Sequence, residues 1–163
     1  MTTKFKADEV FEMADEMEEE GAEFYRQAAE NAPTQEAERL LLELADWEED
    51  HKRTFQDMRR QVSSGDNSGL EYDPDGEAGQ YLRAFVEGRV FEIQSDVGDE
   101  LKKAEDLPDI LRIALGLEKD SIMFYLGIKD VVPREKEKSK MDKIISEERK
   151  HVVTLTRMID AAE

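Results

Sequence analysis

The chain has 163 residues, no cysteine and a net charge of −18 at pH 7. These features exclude disulfides, thiolate metal sites and a thiol nucleophile, and they argue against nucleic acid, whose phosphates require a basic surface. No apolar run approaches the roughly 20 residues of a membrane-spanning helix, and the charged N-terminus is unlike a secretory signal. We therefore expect one domain over residues 1–163, in the cytoplasm, that binds neither membrane nor nucleic acid.

Apolar and small residues recur three and four positions apart in four long segments, which is the spacing of helices packed in a bundle. A first helix is predicted over 8–31, and Pro33 suits the start of a second helix that runs to about residue 62. Turn-rich sequence follows, with a shorter helix predicted over 77–91. The third long helix opens near Pro108, and Pro133 separates it from the fourth, which ends near residue 161.

The connections determine the topology that we expect. Short links join the first helix to the second and the third to the fourth, so each pair forms an antiparallel hairpin. The halves are 8–62 and 108–161, and the crossover 63–107 is long enough to return along a helix of roughly 35 Å. The sequence therefore predicts an all-α four-helix bundle with one long crossover.

The two hairpins are repeats at an offset of 100 residues, with no gap required. The residues of the first half that recur in the second include the following eight. They are Ala14, Glu18, Phe24, Tyr25, Pro33, Glu48, His51 and Met58, which return as Ala114, Glu118, Phe124, Tyr125, Pro133, Glu148, His151 and Met158. The repeat therefore includes both histidines of the chain and four glutamates.

Six of the repeated side chains lie on the inward stripes of the predicted helices: Glu18, Glu48, His51, Glu118, Glu148 and His151. A glutamate and a histidine three residues apart point the same way on a helix. Within each hairpin the two glutamates are equidistant from the turn proline and should lie at one level. A twofold pairing of the hairpins would gather all six, and four carboxylates with two imidazoles are the ligand set of a two-metal site.

The simpler alternative is that these glutamates are ordinary solvated surface or unpaired core charges. Burying each unpaired carboxylate costs several kcal/mol, which a domain with about 5–15 kcal/mol of net stability could not absorb four times. No lysine or arginine lies on the stripes near the site, whereas two divalent cations would balance the four charges. Oxygen-rich ligation suits iron or manganese, while zinc usually takes fewer ligands.

Three aromatic residues lie near the predicted ligands. Tyr25 and Tyr125 are either core residues or hydrogen-bond donors to a metal-binding carboxylate, and the two readings are compatible. Trp47, next to Glu48, is interpreted as a packing residue and not as an electron relay.

The segments from Glu18 to Tyr25 and from Trp47 to His51, repeated as 118–125 and 148–151, resemble the rubrerythrin branch of the ferritin-like di-iron superfamily. The resemblance implies a bundle that holds two iron ions, with manganese or zinc as alternatives. Glu48 and Glu148 would be shared between the irons, and Glu18 and Glu118 would be terminal ligands. His51 and His151 would each bind one iron.

Two departures from the family pattern limit what the resemblance implies. The chain has no cysteine for an iron-bound rubredoxin module, so an external rubredoxin-like protein or flavoprotein would have to deliver electrons. Rubrerythrins also tend to carry a further glutamate where this chain has Ser121, and Gly21 stands at the matching place in the first half. The six-ligand set is closer to the ferroxidase centre of bacterioferritin.

The expected function is a di-iron oxidoreductase, of a peroxidase or ferroxidase type, that protects against oxidative stress by reducing hydrogen peroxide or oxygen. The expected assembly is a homodimer. One alternative is an iron-binding or ferroxidase protein in iron homeostasis, and a second is a structural bundle stapled by metal.

Overall fold

The computed structural model describes residues 7–64, 76–92, 103–132 and 134–163. Within these residues the chain forms five α-helices and no strands, which confirms the all-α class. The helices are α1 (Ala7–Glu30), α2 (Gln35–Ser64), α3 (Glu77–Glu92), α4 (Leu107–Val131) and α5 (Glu135–Ala162). Pro133, the parts 65–75 and 93–102 of the predicted crossover, and the first six residues lie outside the described part of the chain.

The starts of three helices follow from side chains or backbone geometry at their first turns. Thr34 Oγ1 accepts a hydrogen bond from the amide of Ala37 at 3.1 Å and so caps α2. Asp106 caps α4 in the same way through the amide of Asp109 at 3.0 Å, with a proline in the first turn. Gly76, immediately before α3, has a φ of 73°, a conformation that costs glycine little.

Packing is most extensive within the two hairpins, α1 with α2 and α4 with α5. The short helix α3 packs on α4. Gly127 allows α3 and α4 to approach closely, because a Cβ at that position would lie 2.9 Å from the ring of Tyr81. No helix within the described ranges has both the length and the apolar composition needed to cross a bilayer.

Two apolar clusters fill the interior of the bundle, one on each side of a polar layer. The first is built around Phe11, Phe55, Met58, Tyr125, Ile128 and Met141. The second is built around Tyr25, Leu41, Leu44, Leu111, Ala114 and Leu155. On α1, residues before Glu18 belong to the first cluster and residues after it to the second, so the glutamates lie at mid-bundle between two dry regions.

Candidate metal centre

The polar layer consists of the six repeated glutamates and histidines. Glu18 projects from α1, Glu48 and His51 from α2, Glu118 from α4, and Glu148 and His151 from α5. None of the six is more than 6% exposed. The structure thus brings together all six side chains singled out from the sequence, and their role as metal ligands stays a prediction.

The six residues divide into two overlapping groups of four. Glu18, Glu48, His51 and Glu148 form one group, and Glu48, Glu118, Glu148 and His151 form the other. Within each group, one nitrogen or oxygen per residue lies within 4.8 Å of the others. Glu48 and Glu148 belong to both groups, and they are the two residues that the family resemblance implies as shared ligands.

Both histidines direct the same ring nitrogen at the carboxylates. His51 Nδ1 lies 3.2 Å from Glu148 Oε1 and 3.7 Å from Glu18 Oε2. His151 Nδ1 lies 3.0 Å from Glu148 Oε2 and 3.4 Å from Glu118 Oε1. The two rings are stacked, with centroids 5.9 Å apart and planes 27° apart. Nδ1 is therefore the nitrogen of each ring that a metal at the carboxylates would meet.

The two buried tyrosines donate hydrogen bonds across the bundle, each to a glutamate of the other repeat. Tyr25 Oη donates to Glu118 Oε1, and Tyr125 Oη donates to Glu18 Oε1. Burial, together with these negative carboxylates, raises the pKa of both phenols well above the ordinary value. The hydroxyls therefore keep their protons and hold one oxygen of each carboxylate, which leaves the second oxygen for another partner.

The carboxylates favour protonated histidines when no metal is bound. Burial by itself would lower the pKa of His51, but Glu148 and Glu18 outweigh it and raise that pKa to about 12. Burial also opposes the charge of His151, whose pKa Glu118 and Glu148 raise to about 12. When no metal is bound, the two imidazolium cations thus supply the positive charge that a metal would otherwise have to supply.

The shared glutamates also take up protons. Burial, with repulsion from Glu48 and Glu118, raises the pKa of Glu148 to about 8. Burial, with the charges of Glu18 and Glu118, raises the pKa of Glu48 well above its ordinary range. Without metal, protons on the histidines and on the shared glutamates therefore offset part of the negative charge of the layer.

The chemistry of the unpartnered atoms fits a divalent cation. Six buried side-chain atoms of the described residues lack a hydrogen-bond partner; two are the oxygens of Glu137, and the four in this layer are Glu18 Oε2, Glu48 Oε1, His51 Nδ1 and Glu148 Oε1. Buried polar atoms are normally satisfied, and each exception costs about 1–3 kcal/mol. All four atoms belong to the first overlapping group, and a cation placed among them would satisfy them together.

The positions at which rubrerythrins tend to carry a further glutamate are small in this chain. A Cβ added at Gly21 would lie 3.4 Å from Glu48 Oε2, so the glycine lies directly against a shared carboxylate. Ser121, at the matching place in α4, is buried. Neither residue can supply a seventh carboxylate, so the candidate donor set among the described residues consists of six side chains.

Two further residues lie at the edge of the site, and Glu147 is the one that was not anticipated from the sequence. Glu147 Oε2 lies 2.8 Å from His51 Nε2, on the ring edge that faces away from the cluster. Trp47, expected to be a packing residue, is 45% exposed, and its ring centroid lies 5.9 Å from that of His151. Both line an open groove of about 480 Å³ that reaches His51 and has Lys140 and Lys143 among its walls.

Comparisons with known proteins agree with the geometry. The family model of rubrerythrin matches residues 9–159. A crystal structure described as that of a ferritin-like diiron-carboxylate protein from Thermotoga maritima is similar over 100% of both chains, with a TM-score of 0.71 and 27% sequence identity. No curated protein matches the chain. The ferritin-like class predicted from the sequence is thereby confirmed.

Proposed function

Because the chain belongs to the rubrerythrin family, we propose that it is a di-iron oxidoreductase that reduces hydrogen peroxide or oxygen to water. The observation that carries the proposal is the pair of overlapping donor groups that share Glu48 and Glu148. Two ferrous ions would supply the two electrons that cleave the O–O bond of hydrogen peroxide, with two protons taken up to give two waters.

The protein's own residues would perform three tasks. The shared carboxylates would hold two cations close together, and the histidine Nδ1 atoms would anchor one cation each. Tyr25 and Tyr125 would fix the carboxylates of Glu118 and Glu18 through their hydrogen bonds. The two flanking apolar clusters would keep bulk water from the layer.

Electrons for repeated turnover would come from another protein. With no cysteine the chain cannot hold a rubredoxin-type iron centre of its own. An external rubredoxin-like protein or a flavoprotein is the class of donor that we propose.

Iron handling is the second candidate function, and the residues at positions 21 and 121 favour it. The site lacks a seventh carboxylate because these positions hold glycine and serine. A six-ligand site of this kind resembles a ferroxidase centre, in which ferrous iron is itself the substrate.

The test is stopped-flow mixing of anaerobically ferrous-loaded protein with hydrogen peroxide and, separately, with oxygen. Rapid oxidation by peroxide, followed by sustained turnover under a chemical reductant, is expected. The matched control is the double variant Glu48→Ala/Glu148→Ala, which should bind no pair of metals and show no turnover. Stoichiometric oxidation followed by iron release would favour iron handling. Metal binding without reaction toward either oxidant would leave only a structural role for the metal.

A further inference from the structure

The two repeated halves carry different residues immediately before the shared glutamates. Trp47 precedes Glu48, whereas Glu147 precedes Glu148. Glu147 contacts Nε2 of His51 in the other half, whereas Trp47 lies beside both histidines, with ring centroids 5.9 Å from His151 and 6.5 Å from His51.

His51 has a carboxylate partner on its outer edge. Its Nδ1 faces the glutamate cluster, while Nε2 lies 2.8 Å from Glu147 Oε2. If Nδ1 binds a metal, Nε2 must carry the ring proton and donates it in a hydrogen bond to Glu147. Such a carboxylate fixes the tautomer and the orientation of the ring and makes the other nitrogen a better ligand.

His151 has an aromatic neighbour and no such carboxylate among the described residues. Its Nδ1 also faces the cluster, but the indole of Trp47 packs against the ring in an edge-on arrangement, with planes 70° apart. An indole N–H is a donor only and cannot accept the imidazole proton. Within the described part of the chain, no side chain accepts a hydrogen bond from His151 Nε2.

We infer that the two metal positions are inequivalent, and that the position of Glu18 and His51 binds its divalent cation more tightly because Glu147 supports the histidine. This inference rests on the metal centre of the proposed function and adds a positioning residue to it. Loss of an outer carboxylate of this kind typically weakens metal binding about 10–100-fold. The position of Glu118 and His151, where the histidine lacks such a carboxylate, would be the one from which metal exchanges.

The probe is Mn²⁺ alone, with free Mn²⁺ measured by EPR during an anaerobic titration of the full chain. A first bound cation also weakens the second through charge, so two steps in the wild type would not identify the positions. The two single variants identify the positions, because each removes the histidine of one position. His151→Ala should keep a tight site, and His51→Ala should keep only a weak one.

Two further variants test whether Glu147 causes the difference. Glu147→Gln keeps the shape of the side chain but loses its charge, and it should weaken the tight step about 10-fold or more. Trp47→Glu gives His151 a carboxylate neighbour and should tighten the weak step, a gain that a merely structural role would not produce. Glu43→Gln, which removes one exposed charge from α2, is the matched control and should change neither step.

The outcomes separate this inference from the proposed function. Equal affinities in His51→Ala and His151→Ala, or an unchanged tight step in Glu147→Gln, would overturn the inference and leave the di-metal centre intact. Failure of the wild-type protein to bind Mn²⁺ and ferrous iron alike would overturn both.

Discussion

Metal binding to the polar layer should release several protons, because the metal-free layer holds protons where the cations would lie. His51 and His151, each with a pKa of about 12, both carry a proton at pH 7 that Nδ1 must lose on ligation. Burial and the neighbouring carboxylates raise the pKa of Glu148 to about 8, so this side chain also favours its protonated form at pH 7. The pKa of Glu48 is raised as well, which acts in the same direction.

The expected release is therefore about two protons or more for each pair of metals bound at pH 7. The combined affinity for the pair should then fall about 100-fold or more for each unit by which the pH decreases. Titration calorimetry with Mn²⁺ in buffers of different ionisation enthalpy measures this number directly. Release of fewer than one proton per pair would show that the histidines are not protonated in the metal-free layer, which would refute the electrostatic account of the site.

Three further predictions follow from the same contacts. The metal-free melting temperature should fall from pH 5 to pH 8, and Mn²⁺ should raise it most at pH 8. In the folded protein the pKa of Glu148 is about 8 and those of His51 and His151 are about 12, above the unfolded values of 4.5 and 6.5, so the stability that protonation gives is lost as the pH rises. Scanning calorimetry with and without Mn²⁺ tests this, and a melting temperature that Mn²⁺ leaves unchanged across this range contradicts it. His51→Ala should leave a mononuclear site that gives one electron at a time, so single-turnover peroxide consumption should fall sharply and a hydroxyl-radical trap should form its radical adduct. Full turnover without radicals would refute the two-metal mechanism. Tyr25→Phe removes the hydrogen bond that holds Glu118 and should weaken Mn²⁺ binding about 10-fold, and unaltered affinity would show that the tyrosine is only a core residue.

The helices could be predicted closely from the sequence because apolar periodicity and turn residues act locally. Predicted and observed bounds of α1 differ by one residue at each end, and α3 was placed within one residue. Pro108 and the cap at Asp106 mark the start of α4 for the same reason. The convergence of Glu18 and Glu48 could be predicted because an antiparallel hairpin brings residues equidistant from its turn to one level.

The edge of the site could not be predicted, because it depends on which helices are neighbours and on how they are rotated. Tyr25 reaches Glu118 of the other repeat, a pairing on which the sequence is silent. Glu147 is one of many acidic residues in the chain, and no glutamate marks the matching position of the first half, which is Trp47. The exposure of Trp47 similarly depends on the rotation of α2 in the bundle and not on its own sequence neighbours.

The central claim is that six side chains hold two metals close enough to act as one centre. Mössbauer spectroscopy of protein loaded anaerobically with two equivalents of ⁵⁷Fe²⁺ and then oxidised with peroxide tests it most directly. Sharing of Glu48 and Glu148 predicts a ferric pair that is magnetically coupled and has a diamagnetic ground state. Spectra of two isolated, paramagnetic ferric ions would contradict the claim.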